Sequence, residues 1–184
     1  MKTNLTKTLL EDLVVIDIDY FEDERGFFIE SWNERDFAAV GLNLQFVQDS
    51  HSRSKQSVLR GLHYQDMTAP MGKLVRCTLG AVFDVAVDLR MKSPSFGKWF
   101  GVELNEENKR LIYVPVGFAH GFATLSEVAD IQYKQTALYA PPAEGSIRWD
   151  DPEIGIDWPL SDPALSSRDQ NGMSLEEYKK NAAF

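Results

Sequence analysis

The chain has 184 residues, 43% of them hydrophobic and 26% charged, which suits one globular domain and leaves little room for a second. Its net charge of −9 at pH 7 argues against a nucleic-acid partner, which calls for a basic surface, although a few clustered arginines suffice for a phosphate-bearing small molecule. The lack of a long apolar run, of a signal-peptide pattern and of any cysteine besides Cys77 predicts a cytoplasmic protein with no membrane partner and no disulfide framework.

Alternation of apolar and polar residues with a period of two predicts strands along most of the chain. In chain order, the predicted strands cover residues 16–20, 58–65, 73–79, 83–88, 98–104, 110–114 and 131–137. Turn signals rich in glycine and proline separate them. Many short strands at regular spacing are typical of an antiparallel sandwich or barrel.

Helical patterns are few and short. Asn33 is suited to cap a helix that stops at Gly41. Ser174 is suited to cap a helix over residues 175–180, with Glu177 completing a capping box. The sequence therefore predicts a β domain with only a few helical turns.

The last fifth of the chain reads differently from the rest. It contains Asp-Pro pairs at 151–152 and 162–163, which favour extended loops over core strands. We therefore expect one domain over residues 1–184, in which residues 150–184 form a C-terminal segment that covers the sheet.

Three histidines are present, His51, His63 and His120, and no two have the spacing of a metal-binding pair. A single histidine in a strand is more often packed or on the surface than catalytic. His63 is different because it and Arg60 interrupt an apolar strand, where ionisable groups are costly to bury. Strict alternation places these two on opposite faces, so either Gly61 marks a β-bulge that brings both to one site, or Arg60 points to solvent.

Other polar residues are candidates, but each has an ordinary explanation. Lys73 opens a predicted strand, where a lysine is usually solvated. Tyr133 shares a strand face with Ile131, and Asp169 lies in a polar loop. Spacing alone does not assemble these residues with His63, so the residues by themselves indicate a β domain with a candidate acid–base site.

Longer motifs, in a fixed order, extend this picture. They are Asp23-Glu24-Arg25-Gly26-Phe27-Phe28, Phe46-Val47-Gln48-Asp49, Arg60-Gly61-Leu62-His63-Tyr64-Gln65, Gly72-Lys73-Leu74-Val75-Arg76, Phe83-Asp84-Val85-Ala86-Val87-Asp88-Leu89-Arg90, Pro115-Val116-Gly117-Phe118-Ala119-His120-Gly121-Phe122 and Ile147-Arg148-Trp149-Asp150-Asp151-Pro152. From Phe21 to about Asp169 the chain resembles the dTDP-4-dehydrorhamnose 3,5-epimerase family. The resemblance implies an all-β fold, a cupin-type double-stranded β-helix (jelly roll) with a few short helices.

The resemblance implies inversion of C3 and C5 of dTDP-4-dehydro-6-deoxy-D-glucose to give dTDP-4-dehydro-L-rhamnose, in dTDP-L-rhamnose biosynthesis. The C4 ketone acidifies both carbons, so an enolate forms when either loses its proton. Such a site needs a base, an acid on the opposite face and positive charge near the oxyanion. In the family's pattern His63 is the base, Asp169 holds its ring, Tyr133 is the proton donor and Lys73 stands by the C4 oxygen.

The resemblance also implies how the substrate is held. The expected contacts are Arg25, Arg60 and Arg168 at the diphosphate, Glu30, Gln48, Asp49 and Ser50 at the nucleotide or its ribose, Tyr139 stacked on thymine with Glu144 nearby, and His120 in the sugar pocket.

Cofactor and partner expectations follow from the same resemblance. The pattern Pro115-x-Gly117-x-x-His120 is similar to one half of the general cupin metal motif, but the half with paired histidines is missing. We therefore expect no metal and no other cofactor. The family implies a homodimer, with the strand around 16–20 crossing to the partner's sheet.

Three alternatives stay open. Ser50 stands where the family usually has asparagine, Met71 where it has glutamine and Arg168 where it has lysine, so a relative that inverts one carbon, or takes another nucleotide's keto-sugar, is the runner-up. A non-catalytic cupin that binds sugar would exchange no substrate proton for deuterium. A metal-dependent cupin oxygenase or isomerase would carry bound metal.

Overall fold

The computed structural model describes residues 2–184, and the part of the chain it describes is built from thirteen strands and three short α-helices. The strands, in chain order, are β1 (Thr3–Lys7), β2 (Val14–Ile18), β3 (Phe21–Asp23), β4 (Gly26–Phe28), β5 (Gln48–Lys55), β6 (Leu59–Gln65), β7 (Lys73–Leu79), β8 (Ala81–Asp88), β9 (Trp99–Asn105), β10 (Leu111–Val114), β11 (Phe118–Thr124), β12 (Val128–Gln135) and β13 (Glu144–Ser146). The helices are α1 (Glu34–Ala39), α2 (Ser167–Gln170) and α3 (Leu175–Lys180), and a 3₁₀ turn spans Pro141–Ala143.

Two antiparallel sheets form a jelly roll, which confirms the expected fold class. The six-stranded sheet has the order β1-β2-β10-β7-β12-β5, and the five-stranded sheet has the order β13-β6-β11-β8-β9. Strands β3 and β4 form a separate two-stranded hairpin. Non-consecutive neighbours in both sheets show that the chain passes repeatedly from one sheet to the other, as in a double-stranded β-helix.

Alternation along the strands builds the core between the sheets. In β7, Val75 and Cys77 belong to the buried inter-sheet cluster, whereas Leu74 packs with a second cluster on the outer face. In β12, Ile131 belongs to the inter-sheet cluster and Tyr133 packs against it, as their shared face predicts. Lys73 and Tyr133 therefore point inward, near one end of the sandwich.

The C-terminal residues pack on the outer face of the five-stranded sheet. Ile147, Ile154, Leu175 and Tyr178 join Leu62 and other strand residues in one buried cluster. The phenol of Tyr178 donates a hydrogen bond of 3.0 Å to the carbonyl oxygen of Leu89 at the end of β8. This layer buries a sheet face that would otherwise expose aliphatic side chains to water.

Both predicted helix starts are confirmed. The side chain of Asn33 accepts a hydrogen bond from the backbone N–H of Asp36, and α1 ends before Gly41. Ser174 and Glu177 form a reciprocal capping box at the start of α3. None of the helices in the described part of the chain has the length and apolar character of a membrane span.

The predicted strands are confirmed within a few residues at their ends. The strand predicted at 16–20 is β2, and its crossing to a partner's sheet stays a prediction. It pairs with β1 on one side and β10 on the other, both in the same chain, with Ile16 opposite Leu5 and Leu111. Ile16 is fully buried.

Candidate active site

One cavity of about 260 Å³ opens between the two sheets and gathers most of the candidate residues. It is lined by Ser50, Ser52, Arg60, His63, Lys73, His120, Gly121, Phe122, Tyr133, Gln135, Ser166, Arg168 and Asp169. Residues from both sheets and from α2 therefore converge, although they are spread over more than a hundred positions of the sequence.

Of the two alternatives for β6, the structure shows the bulge. His120 of β11 lies opposite His63, and Phe122 lies opposite Arg60, so the register shifts between the two pairs. Gly61 has φ +128°, a conformation that other residues rarely adopt, and a Cβ there would lie 2.5 Å from the Cα of Gly121. The bulge brings both Arg60 and His63 to the cavity.

His63 is held by Asp169, which lies 106 positions further along the chain. Its Nε2 lies 2.6 Å from Oδ1 of Asp169, which also accepts from the backbone N–H of Gly61, while Oδ2 accepts from the hydroxyl of Ser166 at 2.6 Å. Burial would raise the pKa of Asp169, but the hydrogen bonds from His63 and Ser166 outweigh it and lower the pKa to about 2. Asp169 is therefore an anion beside the imidazole at neutral pH.

Burial also sets the protonation of His63. It lowers the pKa of His63 below its usual value, while the hydrogen bond to Asp169 opposes that effect and the positive charges of Arg168 and Lys73 add to it. A neutral imidazole with an oriented ring is the form that can take a proton from carbon.

Arg168 connects His63 to the mouth of the cavity. Its Nη2 lies 3.0 Å from both ring nitrogens of His63, and its Nη1 donates to Oε2 of Glu144 at 2.6 Å. The phenol of Tyr139 donates to the same Glu144 oxygen at 3.0 Å. Tyr139, Glu144, Arg168 and His63 therefore form one continuous chain of contacts.

Tyr133 lies on the other wall of the cavity, on the six-stranded sheet. Its hydroxyl lies 3.2 Å from that of Ser52, and its ring meets the ring of His120 edge-on. Burial raises the pKa of Tyr133 far above its usual value, so the phenol keeps its proton at neutral pH. Tyr133 can therefore donate a proton from the side opposite His63.

Lys73 contributes a cation to the interior of the cavity. Burial lowers its pKa to about 8, although the carboxylates of Glu144 and Asp84 oppose that shift. Its Nζ lies 3.5 Å from the carbonyl oxygen of His63. At pH 7 the amine is mostly protonated and stands close to the proposed base.

Not every candidate reaches the cavity. On β5, Ser50 lines it, while Asp49 points to the outer face of the sheet and pairs with Lys134, because neighbouring strand residues face opposite ways. Gln48 does not line the cavity but contacts residues around it. Its amide oxygen accepts from the backbone N–H of Tyr139, and its amide nitrogen contacts the cavity residue Gln135.

Arg25 and Glu30 also lie outside this cavity. Arg25 is at the turn of the β3–β4 hairpin, where its exposed side chain pairs with Asp23, and Glu30 follows the hairpin. Within one chain the structure therefore does not bring either residue to His63.

Some site residues were missed at the sequence level. Ser52 and Gln135 are polar residues without a distinctive motif. Ser166 was detectable, because a serine three positions before Asp169 is a typical helix cap, and it does accept from that residue's backbone N–H. Asp84 was detectable as a carboxylate in an apolar strand; it is fully buried, and its oxygens lie 2.9 and 3.0 Å from Nε2 of His120.

Possible metal ligands do not cluster around the cavity in the part of the chain that the structure describes. Among residues 2–184, no three His, Cys, Asp or Glu side chains converge as metal ligands do. His63 and His120 are each engaged by a different aspartate, Asp169 and Asp84. His63 and His120 therefore belong to two separate histidine–aspartate pairs.

Comparison with known proteins agrees with this geometry. Residues 7–177 match the family model of dTDP-4-dehydrorhamnose 3,5-epimerase. A relative of that name from Salmonella typhimurium is 53% identical over 173 residues, which cover 93% of this chain and 94% of the relative. A solved structure of dTDP-6-deoxy-D-glucose-3,5-epimerase from Legionella pneumophila, in complex with dTDP-4-keto-L-rhamnose, has a TM-score of 0.91 and 47% identity, covering 95% of this chain and 93% of the other.

A more distant neighbour has a narrower activity. The structure of a 3'-monoepimerase from Streptomyces bikiniensis, in complex with dTDP-quinovose, has a TM-score of 0.89 and 31% identity, covering 94% of this chain and 88% of the other. The family model and the Salmonella relative both span nearly the whole chain. The chain therefore belongs to the dTDP-4-dehydrorhamnose 3,5-epimerase family.

Proposed function

We propose that this protein inverts C3 and C5 of dTDP-4-dehydro-6-deoxy-D-glucose and so makes dTDP-4-dehydro-L-rhamnose for dTDP-L-rhamnose biosynthesis. The observation that carries the proposal is that His63 and Tyr133 line one cavity from opposing sheets. The direction of each pKa shift suits its role, because the imidazole is neutral and the phenol protonated near pH 7. The high identity to 3,5-epimerases supports the same reaction.

His63 removes the proton from C3 or C5 in this mechanism. The electron pair of the C–H bond moves into the C4 carbonyl and forms an enolate, and the proton goes to the ring nitrogen that Asp169 does not hold. The anionic Asp169 stabilises the resulting imidazolium, because Nε2 and Oδ1 are 2.6 Å apart and both side chains are largely buried.

The enolate is stabilised by Lys73 and reprotonated by Tyr133. A cation beside the C4 oxygen favours the enolate more than the ketone, so it lowers the barrier rather than only tightening binding. Tyr133 delivers its proton to the face opposite the one His63 deprotonated, which inverts the carbon. His63 then gives its extra proton to water, and Tyr133 takes a proton from water, which restores both residues for the next cycle.

Isotope exchange tests this function. Incubation of the dTDP-linked keto-sugar with enzyme in deuterated water should place deuterium at both C3 and C5, observed by NMR. Exchange at one carbon would instead identify the single-carbon epimerase, and no exchange at high enzyme concentration would identify a non-catalytic cupin. Running the same experiment with another nucleotide's keto-sugar measures nucleotide preference.

We further propose that the protein is a homodimer in which the β3–β4 hairpin reaches the partner's cavity. The hairpin exposes Phe21, Phe27 and Phe28, each more than half accessible, which is unusual for a monomer surface. Arg25 at its turn is remote from its own chain's cavity yet matches the family's diphosphate contact. A partner's hairpin would supply that arginine.

A cytoplasmic location stays a prediction of the sequence. Its support is the single buried cysteine, Cys77, which fits a reducing compartment. Cell fractionation checks it.

A further inference from the structure

The side-chain amide of Gln135 is held in one orientation by a chain of hydrogen bonds that starts at a backbone N–H. The N–H of Tyr139 donates to the amide oxygen of Gln48 at 2.9 Å, and a backbone N–H can only donate. The amide nitrogen of Gln48 therefore faces Gln135, and it donates to Oε1 of Gln135 at 3.2 Å. The hydroxyl of Ser50 donates to the same oxygen at 2.9 Å. Both acceptor positions of Oε1 are therefore occupied.

The nitrogen of the same amide has no partner among residues 2–184. The side chain of Gln135 is only 9% exposed. Its Nε2 is nevertheless not one of the fully buried unpaired atoms of the described chain, so it opens onto the cavity that Gln135 lines. An amide nitrogen carries two N–H donors. Such a donor pair is suited to an acceptor on a bound ligand, because a polar group that loses water without gaining a partner costs free energy.

Strand register places this amide beside Lys73. Gln135 ends β12 and lies opposite Lys73, which begins β7, in an antiparallel pair. Directly opposite residues point to the same face of a sheet, with Cβ atoms about 4.5–5.5 Å apart, and both side chains line the cavity. Tyr133, two positions earlier on β12, faces the same way. The amide donors, the ammonium group and the phenol therefore share one wall of the cavity.

We propose that Gln135 donates a hydrogen bond to the C4 oxygen of the keto-sugar together with Lys73, so that two donors stabilise the enolate. This inference rests on the proposed function, in which Lys73 stands by that oxygen. A carbonyl oxygen has two lone pairs, so it can accept from the ammonium group and from the amide at once. The oxygen gains negative charge when either C3 or C5 loses its proton, so the amide favours the enolate over the ketone. Gln135 is then a catalytic residue in both inversions.

The amide is oriented for this role before the substrate binds. Because Gln48 and Ser50 hold Oε1, the N–H groups of Gln135 keep their direction while charge develops on the substrate. Donors that are fixed in advance need no reorganisation during the reaction. The orientation of both amides is set by the backbone of Tyr139, at the mouth of the cavity.

Deuterium exchange at each carbon tests the proposal. The C4 oxygen is common to the enolates formed at C3 and at C5, so the loss of a donor to it should slow exchange at both carbons by a similar factor. We expect Gln135→Met to slow both about 10²-fold, the lower end of the cost of removing one oxyanion donor. The Kd for dTDP should stay unchanged, because dTDP has no C4 ketone. NMR in deuterated water measures exchange, and calorimetry measures binding.

Gln135→Glu separates donation from shape. The new carboxylate keeps the size of the side chain and an oxygen to which Gln48 and Ser50 can donate, but it has no N–H donor. It should slow exchange at least as much as Gln135→Met does. Gln132→Met is the matched control, because Gln132 lies on the same strand but accepts from Arg76 outside this cavity, and it should exchange at the native rate.

The outcomes distinguish this inference from the proposed function. Native-rate exchange by Gln135→Met would refute the donor role and leave the epimerase proposal standing. Slower exchange at one carbon only, or weaker binding of dTDP, would show that the amide holds a sugar hydroxyl or a phosphate instead of the C4 oxygen. Native-rate exchange by Gln135→Glu would reduce Gln135 to a structural contact. Absence of exchange in the native protein would contradict the proposed function and this inference together.

Discussion

His63 must be unprotonated to act as a base and Tyr133 must be protonated to act as an acid, and burial favours both of these states. Burial lowers the pKa of the imidazole and raises that of the phenol, because in each case it disfavours the charged form. The result is an unprotonated base and a protonated acid at the same pH. Lys73, with its pKa lowered to about 8, keeps its charge near neutrality but loses it in mildly alkaline solution.

Substitution of these two residues should separate chemistry from binding. We expect His63→Ala and Tyr133→Phe each to lower kcat by about 10²- to 10⁴-fold, the usual contribution of a positioned acid or base, with little change in the Kd for dTDP. Tyr113→Phe is the control, because that phenol is also partly buried but lies on β10, away from the cavity. Near-native turnover by either active-site variant would remove it from the mechanism.

At the scale of the element, the β6 bulge is what allows one strand to supply two site residues. Gly61 packs directly on Gly121 of β11, and no side chain fits between them. The bulge turns the strand so that Arg60 and His63, three residues apart, line the same cavity. Local backbone geometry therefore determines the composition of the site.

Gly61→Ala should lower the free energy of unfolding more than the same substitution at Gly41 does. The added Cβ would meet the Gly121 backbone at 2.5 Å and would also force a positive φ, so we expect a loss of about 2–4 kcal/mol in the free energy of unfolding. Gly41→Ala is the control, since it has φ +94° but no atom within 4 Å of the added Cβ, and it should cost about 1 kcal/mol. Urea denaturation measures both, and equal losses would show that the close contact is unimportant.

At the scale of the whole molecule, the β3–β4 hairpin stands out because a single chain leaves its aromatic side chains exposed. It pairs only with itself in the described part of the chain, and Lys109 lies over the rings of Tyr20 and Phe27 at its base. Exposed aromatic residues next to an arginine are typical of interface anchors. A dimer would bury them and complete each cavity.

Complementation between two inactive variants tests this arrangement. Arg25→Ala should weaken activity at low substrate concentration, and His63→Ala should abolish it. Co-expression of the two should restore about one quarter of native activity, because half of the randomly paired dimers contain one intact site out of two. Sedimentation measures the dimer directly; a monomer, or a dimer without complementation, would show that Arg25 does not act across an interface.

Much of the fold was predictable from the sequence. Strands with one buried face carry a period of two, and helix caps use local spacing, so β7, β8, α1 and α3 were identified correctly. Six strands were missed, β1, β3, β4, β5, β11 and β13. Two of them were missed for opposite reasons: β5 is an edge strand that is polar along its length, whereas β11 is buried on both faces, so neither alternates.

The sequence by itself determined which residue types were present and in what order, and through family motifs it identified the reaction class. The family motifs also implied that Asp169 holds the ring of His63, which the structure shows at 2.6 Å. Only the tertiary structure decided that Asp49 faces outward and that Arg168 lies against the imidazole. The physical reason is that these contacts join segments far apart in the chain. Their geometry depends on strand register and on the path of the C-terminal segment, which local spacing does not encode.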